Sequence, residues 1–445
     1  MDLLLTLIFS FILLVYSTLR GVFIFYPLLA SLLLWIGVLV RRGFLFKNLI
    51  KMAMTGVKKS FPVFIILLLI GVVVSTWIAA GTVPTLVYYG IQVLNPNYFV
   101  LLAFWLTCLV SLFIGTSFGT VGTIGIALMI MASESGVNPN LVAGAILSGA
   151  YFGDRCSPMS SSANLIASIT QTQLYTNLRN MFKTGLIPLI LTSFIYLIFS
   201  QLNPIQATDT VIISEIVKIF NPQPILLLPA LAIFILALLQ VEVKISMLVS
   251  VGIAVLLALF YQNYSLLELI KFTVNGFILD ESSPLYSILI GGGMIAMLKV
   301  ILIVIVSTAL AGILGDTHIL NFIEKFLNRA KSQQQLFLGT ILIGSLSAAY
   351  GCTQTIAILL TQSLVQPRYE ALKLSPNLLA VDLENTVILI SPSIPWNIAS
   401  FVPTALIMSD FHCLPYAFYL YLVPIVNLIY KPNNIIQESK FFFEN

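Results

Sequence analysis

Charged side chains are scarce in this chain of 445 residues. Asp, Glu, Lys and Arg together make up 9% of the sequence, and 59% of it is hydrophobic. Soluble domains carry roughly 25% charged residues, so a soluble globular protein is excluded. Apolar runs of about 20 residues recur along the chain, whereas the alternation typical of an outer-membrane barrel is absent. The composition therefore predicts an all-α integral membrane protein of the cell membrane.

Patterns typical of metal sites and enzymes are missing as well. The two histidines, His318 and His412, belong to no Cys/His ligand pattern, and the four cysteines lack metal spacing, so buried thiols are expected. The sequence contains no Walker loop and no Gly-x-Ser-x-Gly elbow. We therefore expect no enzymatic activity and no bound cofactor. The formal net charge of +4 indicates no nucleic-acid partner.

The basic residues that do occur are concentrated after the first apolar hairpin. One segment without any acidic residue contains six of them, Arg41, Arg42, Lys47, Lys51, Lys58 and Lys59. By the positive-inside rule, such a segment stays in the cytoplasm. We therefore expect a multi-pass protein in the lipid bilayer, with loop 41–59 and the N-terminus in the cytoplasm. The sequence leaves a homo-oligomer open.

The apolar segments are interrupted at four places. We expect about 10–12 membrane crossings in two repeats, residues 1–200 and 224–431, with a polar linker at 201–223 and a short tail at 432–445. Each repeat is expected to hold two broken helices. The breaks are predicted near 115–120, 153–158, 347–355 and 391–397, at Gly115, Gly153, Pro158, Gly351, Pro392 and Pro395.

The breaks have similar spacing in the two repeats. Pro158 follows Gly115 by 43 residues (158 − 115), and Pro392 follows Gly351 by 41 (392 − 351). Gly and Pro are frequent in membrane helices, so the breaks alone are weak support for a site. Polar residues accompany the breaks in both halves, however, and such residues are costly at membrane depth. Matched broken helices with polar residues favour the central site of a transporter over a passive channel.

The candidate binding residues are the polar side chains beside these breaks. They are Thr116, Thr120, Asp154, Ser157, Ser160, Ser161, Asn164, Gln354, Glu384, Asn385, Ser391 and Asn397. Structural roles are the alternative for two of the carboxylates. Asp154 could pair with Arg155 or Lys183 and cap the half-helix after Pro158, and Glu384 could lie near the mouth of its span.

Five motifs follow one another along the chain: Gly115-Thr-Ser-Phe-Gly-Thr-Val-Gly-Thr-Ile-Gly-Ile-Ala-Leu, Ser148-Gly-Ala-Tyr-Phe-Gly-Asp-Arg-Cys-Ser-Pro-Met-Ser, Gly351-Cys-Thr-Gln, Leu383-Glu-Asn and Ser391-Pro-Ser-Ile-Pro-Trp-Asn. This ordered set resembles the NhaC-type sodium/proton antiporters of the ion-transporter superfamily. The resemblance implies a secondary active transporter that exchanges Na+ against H+ across the cytoplasmic membrane, with both ions as cargo. The family also includes coupled carriers of organic anions, so a Na+- or H+-coupled carrier of malate, lactate or an amino acid is the alternative.

This chain departs from the family pattern at two carboxylates. Where the family usually has Asp-Thr-Thr-Asn, this chain has Ser161-Ser-Ala-Asn164, and the family's Leu-Glu-Asp is Leu383-Glu-Asn385 here. The loss of a carboxylate beside Asp154 weakens a sodium site electrostatically, whereas neutral serine and asparagine suit an organic solute. The departures therefore keep the carrier alternative open.

Sodium binding requires several oxygen ligands, and the first repeat can supply them. Asp154, Ser157 and Ser160 together offer a carboxylate and two hydroxyls for Na+, and the negative ends of half-helices favour a cation. A carboxylate in a low-dielectric cavity holds a proton more readily than one in water. Competition between Na+ and H+ for one carboxylate is then the simplest mechanism of exchange.

Overall fold

The computed structural model of the protein describes residues 2–93, 96–134, 137–204, 216–239, 241–279, 291–316, 327, 330 and 332–430. Helices account for most of this part of the chain, and Phe277 and Gly291 form an isolated β bridge. The predicted all-α class is confirmed. Residues 205–215 of the predicted linker, and all of the predicted tail at 432–445, lie outside the described residues.

The first part of the chain, up to residue 204, is a series of mostly apolar helices. A bilayer offers no water to the backbone, so helices, which bond their own N–H and C=O groups, are the expected structure. A π-helical turn, Val121–Gly125, joins α7 to α8. The helices are α1 Asp2–Leu19, α2 Phe25–Arg41, α3 Phe46–Lys59, α4 Phe61–Ala79, α5 Thr82–Val93, α6 Phe99–Ile114, α7 Ser117–Thr120, α8 Ile126–Glu134, α9 Pro139–Cys156, α10 Ser161–Ile169 and α11 Leu174–Leu202.

The second part of the chain continues in the same way after residue 215. Its helix α14 begins with a capping box, in which Ser265 and Glu268 bond each other's backbone N–H groups. The helices are α12 Leu228–Leu238, α13 Val243–Phe260, α14 Leu266–Asn275, α15 Met294–Asp316, α16 Gln333–Gly351, α17 Gln354–Ala371, α18 Pro376–Asn385, α19 Val387–Ile390, α20 Ile398–Leu406 and α21 Phe418–Tyr430.

Few of the described helices are long enough to cross a bilayer alone. Leu174–Leu202 and Met294–Gly315 pass by length and composition, and Pro376–Ser393 with Ile398–Leu406 makes a third candidate that is bent by 56°. The other apolar stretches found within the described helices run for only 10–17 residues, whereas a straight span needs about 20. The apolar segments are therefore interrupted, and the number of crossings stays a prediction.

The basic segment after α2 is a helix rather than the predicted loop. In α3, Lys47, Lys51 and Lys58 are exposed, and Leu49 is fully buried. Gly56 brings α3 into backbone contact with α15, because a Cβ at this position would lie 2.1 Å from the carbonyl oxygen of Thr308. Buried residues recur at helical spacing between the lysines, so the segment forms a packed amphipathic helix.

Helices α6 and α9 lie side by side and run in the same direction. Along α9, Gly149 faces Phe104, and Gly153 faces Ser111 further along both helices. The Ser111 hydroxyl donates a hydrogen bond of 2.5 Å to the carbonyl oxygen of Ala150. A Cβ at Gly153 would lie 2.2 Å from the Ser111 carbonyl carbon, so this approach requires glycine.

The apolar run 98–131, predicted as one broken span, instead reverses direction at Gly115. Gly115 adopts a left-handed conformation with φ of +71° and packs on Met159, beyond the end of α9. Further along the chain, Gly125 packs on Ile146 in the middle of α9. The segment from α7 to α8 therefore runs back along α9, antiparallel to α6, and residues 99–134 form a first helical hairpin.

The stretch 336–365, also predicted as an interrupted span, is a second hairpin. It reverses at Cys352, which has a φ of +52°, between α16 and α17. Far from this turn, the hydroxyls of Thr340 in α16 and Tyr369 in α17 lie 3.3 Å apart, as antiparallel packing requires. The predicted breaks near 115 and 351 are therefore the turns of two hairpins.

The two hairpins approach from opposite ends of α11. Near the C-terminal end of α11, Ser200 accepts a hydrogen bond of 2.9 Å from the Leu101 amide at the start of the first hairpin. Nearer the N-terminal end of α11, the Thr184 carbonyl accepts a hydrogen bond from the Asn427 side chain. The carbonyl of Leu428, the residue after Asn427, accepts a hydrogen bond from Gln334 at the start of the second hairpin. The two hairpin turns are thus brought towards one another inside the bundle.

Replacing Gly153 by alanine is expected to destabilise the protein, because the added methyl would overlap the α6 backbone at Ser111. Overpacking of this kind costs about 1–3 kcal/mol. Thermal unfolding of the detergent-purified protein measures the effect. Gly252→Ala in α13 is the matched control, since a Cβ there meets no atom within 4 Å. Equal melting temperatures for the two variants would contradict the close packing of α6 on α9.

Candidate functional site

Four helices begin close to the two hairpin turns, and each begins at a polar cap. The cap side chain accepts a hydrogen bond from a backbone N–H that has no partner within the helix, which stabilises a helix end without water. The caps and their donors are Thr116 with Gly119 N, Ser160 with Ala163 N, Thr353 with Ile356 N, and Asn397 with Ala399 N. They start α7, α10, α17 and α20, respectively.

Each hairpin is bonded to the broken segment that follows it in the chain. Beside the first turn, the Ser157 hydroxyl donates to the carbonyl oxygen of Leu112 at 2.6 Å. Beside the second, the Asn397 side chain donates to the carbonyl of Ala348 at 2.7 Å. The Ile398 amide also donates to the carbonyl of Cys352 at 2.8 Å. These bonds hold both breaks in fixed positions.

The carboxyl group of Asp154, at the end of α9, lies between these two breaks and is almost fully buried. Its Oδ2 accepts a hydrogen bond of 3.1 Å from Gln354 in the second hairpin. Its Oδ1 lies 3.5 Å from the Ser160 hydroxyl and 3.4 Å from that of Ser162, and the Ser117 side chain also interacts with the group. The site therefore combines groups from both hairpins and from the first broken helix.

No cationic side chain neutralises Asp154 among the described residues. The ion pairs between described residues are Lys244 with Glu242 and His412 with Asp410, both elsewhere. Arg155, the neighbour in sequence, makes its hydrogen bonds to other groups, and Lys183 is exposed. A buried carboxylate without a cation is costly unless a proton or another cation joins it. The site is therefore suited to taking up a cation from outside the protein.

The structure brings together only some of the residues that the sequence singles out. Asp154, Ser160 and Gln354 meet in one cluster. Other predicted residues bond to the backbone and hold the breaks: Thr116 and Asn397 as caps, Ser157 on Leu112, Thr120 on the Thr116 carbonyl, and Ser391 on the Val387 carbonyl.

Ser161 and Asn164 are not part of the Asp154 cluster. Both lie on the exposed side of α10, and the Asn164 amide bonds to the carbonyls of Pro158 and Ser160. Ser162, which the sequence reasoning did not select, points towards Asp154 instead and also donates to the Asp154 carbonyl at 3.0 Å. The position of the helix start determines which serine faces inward, since successive residues are rotated by about 100°.

Arg155 is the centre of a second buried network, which the sequence reasoning missed. Its Nη1 donates to the Tyr419 hydroxyl at 3.1 Å, and its Nη2 donates to the Met181 carbonyl and the Thr184 hydroxyl, both at 2.9 Å. Nη2 also donates to Oδ1 of Asn385. Arg155 thus joins α9 to α11, α18 and α21 through neutral acceptors, and its positive charge has no carboxylate bonded to it among the described residues.

Glu384 lies beside this network and is completely buried. Its two carboxyl oxygens have no hydrogen-bond partner in the part of the chain that the structure describes. Asp382, two residues earlier, accepts a hydrogen bond of 2.9 Å from Tyr369. Two acidic residues of α18 are therefore buried, and they have different surroundings.

A cavity of about 200 Å³ adjoins the first hairpin turn. Its lining includes the hydroxyl-bearing residues Thr116, Thr123 and Ser246 together with Met159 and Glu242. In the described residues, no group of three or more His, Cys, Asp or Glu side chains could hold a metal ion. The buried site thus offers one carboxylate with neutral oxygens, next to a cavity.

Helices that break around a buried, oxygen-rich site, in a bundle of apolar helices, are typical of membrane transporters. A sequence model described as the Na+/H+ antiporter family matches residues 3–162 and 149–431. The chain belongs to this family and is a multi-pass membrane protein. The resemblance to NhaC-type antiporters is confirmed.

Three relatives illustrate the range of this family. An uncharacterised Na+/H+ antiporter of Haemophilus influenzae is 30% identical over 424 residues, which are 92% of this chain and 90% of that protein. The Na+/H+ antiporter NhaC of Bacillus subtilis is 28% identical over 413 residues, 91% of each chain. The malate-2H(+)/Na(+)-lactate antiporter of Bacillus subtilis is 28% identical over 364 residues, 80% of this chain and 78% of that protein.

Replacing Arg155 by lysine is expected to destabilise the protein, although the charge is kept. Lysine lacks the planar guanidinium group that donates hydrogen bonds to Thr184, Met181 and Asn385. Each buried acceptor that is left without a donor costs about 1–3 kcal/mol of stability. Thermal unfolding in detergent measures the loss. Arg179→Lys, at an exposed position of α11, is the control. A melting temperature unchanged by Arg155→Lys would contradict this role.

Proposed function

We propose that this protein exchanges Na+ for H+ across the cytoplasmic membrane and that Asp154 is the carboxylate that binds Na+. The observation that carries the proposal is a buried Asp154 carboxyl group without a cationic partner among the described residues, held between two hairpin turns by hydroxyl and amide groups. A cation that enters this site supplies the positive charge that the Asp154 carboxylate lacks. We expect no cofactor, because Na+ and H+ are themselves the transported ions.

The chemistry of the site favours a monovalent cation. Asp154 supplies one negative charge, and Ser160, Ser162 and Gln354 supply neutral oxygen atoms. Hydroxyl and amide groups that now donate to the carboxylate can present their oxygen atoms to Na+ after rotation. A divalent ion would keep one uncompensated positive charge in an apolar environment, which is costly.

Exchange follows because the protein does not change conformation while the site is empty and ionised. A buried charge without compensation makes that state too costly. Either cation, Na+ beside Asp154 or H+ on a buried carboxyl group, neutralises the site, and only a neutralised site changes access from one side to the other. Binding of Na+ therefore displaces H+, and binding of H+ displaces Na+. Downhill movement of one ion then drives the other in the opposite direction.

Two matched halves of opposite orientation suit this mechanism. The caps Thr116 and Ser160 are 44 residues apart (160 − 116), and the caps Thr353 and Asn397 are also 44 apart (397 − 353). Because the hairpins approach from opposite ends of α11, we infer two inverted repeats that move relative to one another. Alternating access around a site shared by both repeats is the common mechanism of such transporters.

The basic helix α3 orients this arrangement in the membrane. Its exposed lysines favour the cytoplasmic side, so α4 runs outward and Ala80 lies at its outer end. Gln262 lies near Ala80 and bonds the Phe220 carbonyl at 3.1 Å. We therefore place Ala80, Phe220 and Gln262 at the outer face and the N-terminus in the cytoplasm.

A Na+- or H+-coupled carrier of a small organic anion or amino acid is the second candidate. The cavity beside Thr116 and Met159 supports it, because about 200 Å³ can hold a small organic acid. The relative named as a malate-2H(+)/Na(+)-lactate antiporter supports it as well. Counterflow of labelled malate, lactate or an amino acid in proteoliposomes distinguishes this carrier from an ion exchanger, which moves none of them.

Asp154→Asn is expected to abolish sodium-driven proton movement, because the asparagine side chain supplies no negative charge to bind the Na+ that displaces the proton. Collapse of a pH gradient in proteoliposomes after addition of Na+, with K+ as the comparison, measures the activity. Asp410→Asn is the matched control, since Asp410 is exposed and bonded to His412. Near-normal exchange by Asp154→Asn would remove Asp154 from the site.

Ser162→Ala is expected to weaken Na+ binding about three- to tenfold, because it removes one oxygen ligand worth about 1 kcal/mol. Ser161→Ala is the matched control, since Ser161 lies on the exposed side of α10. The Na+ concentration that gives half-maximal exchange measures the effect. A larger effect for Ser161→Ala than for Ser162→Ala would reverse the inferred orientation of α10.

A further inference from the structure

Glu384 is a second buried acid, and the exchange proposed at Asp154 assigns it no role. Its side chain has no exposed surface, and neither carboxyl oxygen has a hydrogen-bond partner among the described residues. An ionised carboxylate in such surroundings costs several kcal/mol, whereas a protonated carboxyl group costs much less. Burial without a hydrogen-bond partner therefore favours the neutral, protonated form of Glu384 in this conformation.

Two hydrogen-bond donors without partners belong to the same buried region. Nε of Arg155 and Nδ2 of Asn385 have no acceptor among the described residues, although Arg155 and Asn385 bond to each other through other atoms. Asn385 is the next residue after Glu384, and Arg155 interacts electrostatically with Glu384. Two donors and one carboxyl group, all without a partner in the described part of the chain, thus occur in the same buried region.

The groups that face Glu384 connect it to the proposed sodium site. Asp154 and Arg155 of α9 both interact electrostatically with Glu384, and so does the Cys156 thiol. On α18 itself, Asp382 bonds to Tyr369 of α17. Glu384 therefore lies within electrostatic reach of both Asp154 and the fixed positive charge of Arg155.

The other titratable groups on the helices packed around α18 have different partners. Tyr419 of α21 accepts a hydrogen bond from Arg155, and Tyr350 of α16 donates to the Leu7 carbonyl. On α11, Arg179 and Lys183 are exposed. Arg155 is therefore the cation that can balance Glu384.

We propose that Glu384 carries the exchanged proton and that Arg155 holds its carboxylate when Na+ occupies the Asp154 site. This inference rests on the proposed sodium/proton exchange and assigns the two cations to two different carboxyl groups. Asp154, Glu384 and Arg155 together carry one net negative charge when all three are ionised. One cation makes the cluster neutral, whether it is H+ on Glu384 or Na+ beside Asp154, and a neutral cluster is the favourable state in an apolar interior.

The proton balance of each cycle is simple. When Na+ binds beside Asp154, the O–H bond of Glu384 breaks and the proton leaves to water on that side of the membrane. The Glu384 carboxylate then accepts hydrogen bonds from Nε of Arg155 and Nδ2 of Asn385. After release of Na+ on the other side, Glu384 takes a proton from water there, and the cluster is neutral again.

Glu384→Gln tests this assignment, since glutamine imitates the protonated acid permanently. In wild-type proteoliposomes, the apparent Na+ affinity should fall about tenfold for each unit by which pH is lowered while Na+ binding displaces one proton. In Glu384→Gln, the affinity should be weak and independent of pH. Glu384→Asp, which keeps an acid at the position, should retain the dependence on pH.

Two results separate this inference from the function on which it rests. Wild-type protein that moves no protons in response to Na+ would overturn the proposed exchange itself. A wild type that exchanges, with a Glu384→Gln variant whose Na+ affinity still follows pH, would overturn only the role of Glu384.

A measurement on the wild type covers the case in which Glu384→Gln does not fold. The infrared difference spectrum induced by Na+ should show the loss of a protonated carboxyl band. A spectrum without such a loss would overturn the assignment.

Discussion

The protein depends on one constraint: inside an apolar bilayer, every charge and every free backbone group must find its partner within the protein. Each helix break frees backbone groups, and Thr116, Ser160, Thr353 and Asn397 cap the helices that begin there. Side chains such as Ser157 also bond the breaks to the hairpins. The bonds that stabilise the breaks therefore also position the buried carboxyl group of Asp154.

The same constraint relates the charges of the buried cluster of Asp154, Arg155 and Glu384 to the proposed binding of a cation. Arg155 is held by neutral acceptors from several helices, so its charge is fixed in place. Asp154 and Glu384 contribute two carboxyl groups, and neither has an ion-pair partner within the described residues. With all three groups ionised, the cluster lacks one positive charge, and we propose that the cargo supplies it. Asn385 is neutral and therefore keeps this deficit at one charge.

Turn and cap chemistry is local, so the sequence can indicate where a helix stops. Gly115 has the left-handed conformation that glycine favours, and the Ser-Pro segments adjoin helix ends. The direction of the chain after each break is not local, since the reversal at Gly115 depends on packing against α9. Likewise, a helix that starts at Ser160 turns Ser162 inward and Ser161 outward. The partners of Arg155 come from three other helices, and no sequence spacing predicts their meeting.

Counting the protons released when Na+ binds to the purified protein tests the account most directly. Isothermal titration calorimetry with Na+ in two buffers of different protonation enthalpy gives this number. One proton released for each Na+ bound is the predicted result, because one cation neutralises the cluster at a time. Binding of Na+ without any proton release would contradict the account, because the two cations would then occupy the protein independently.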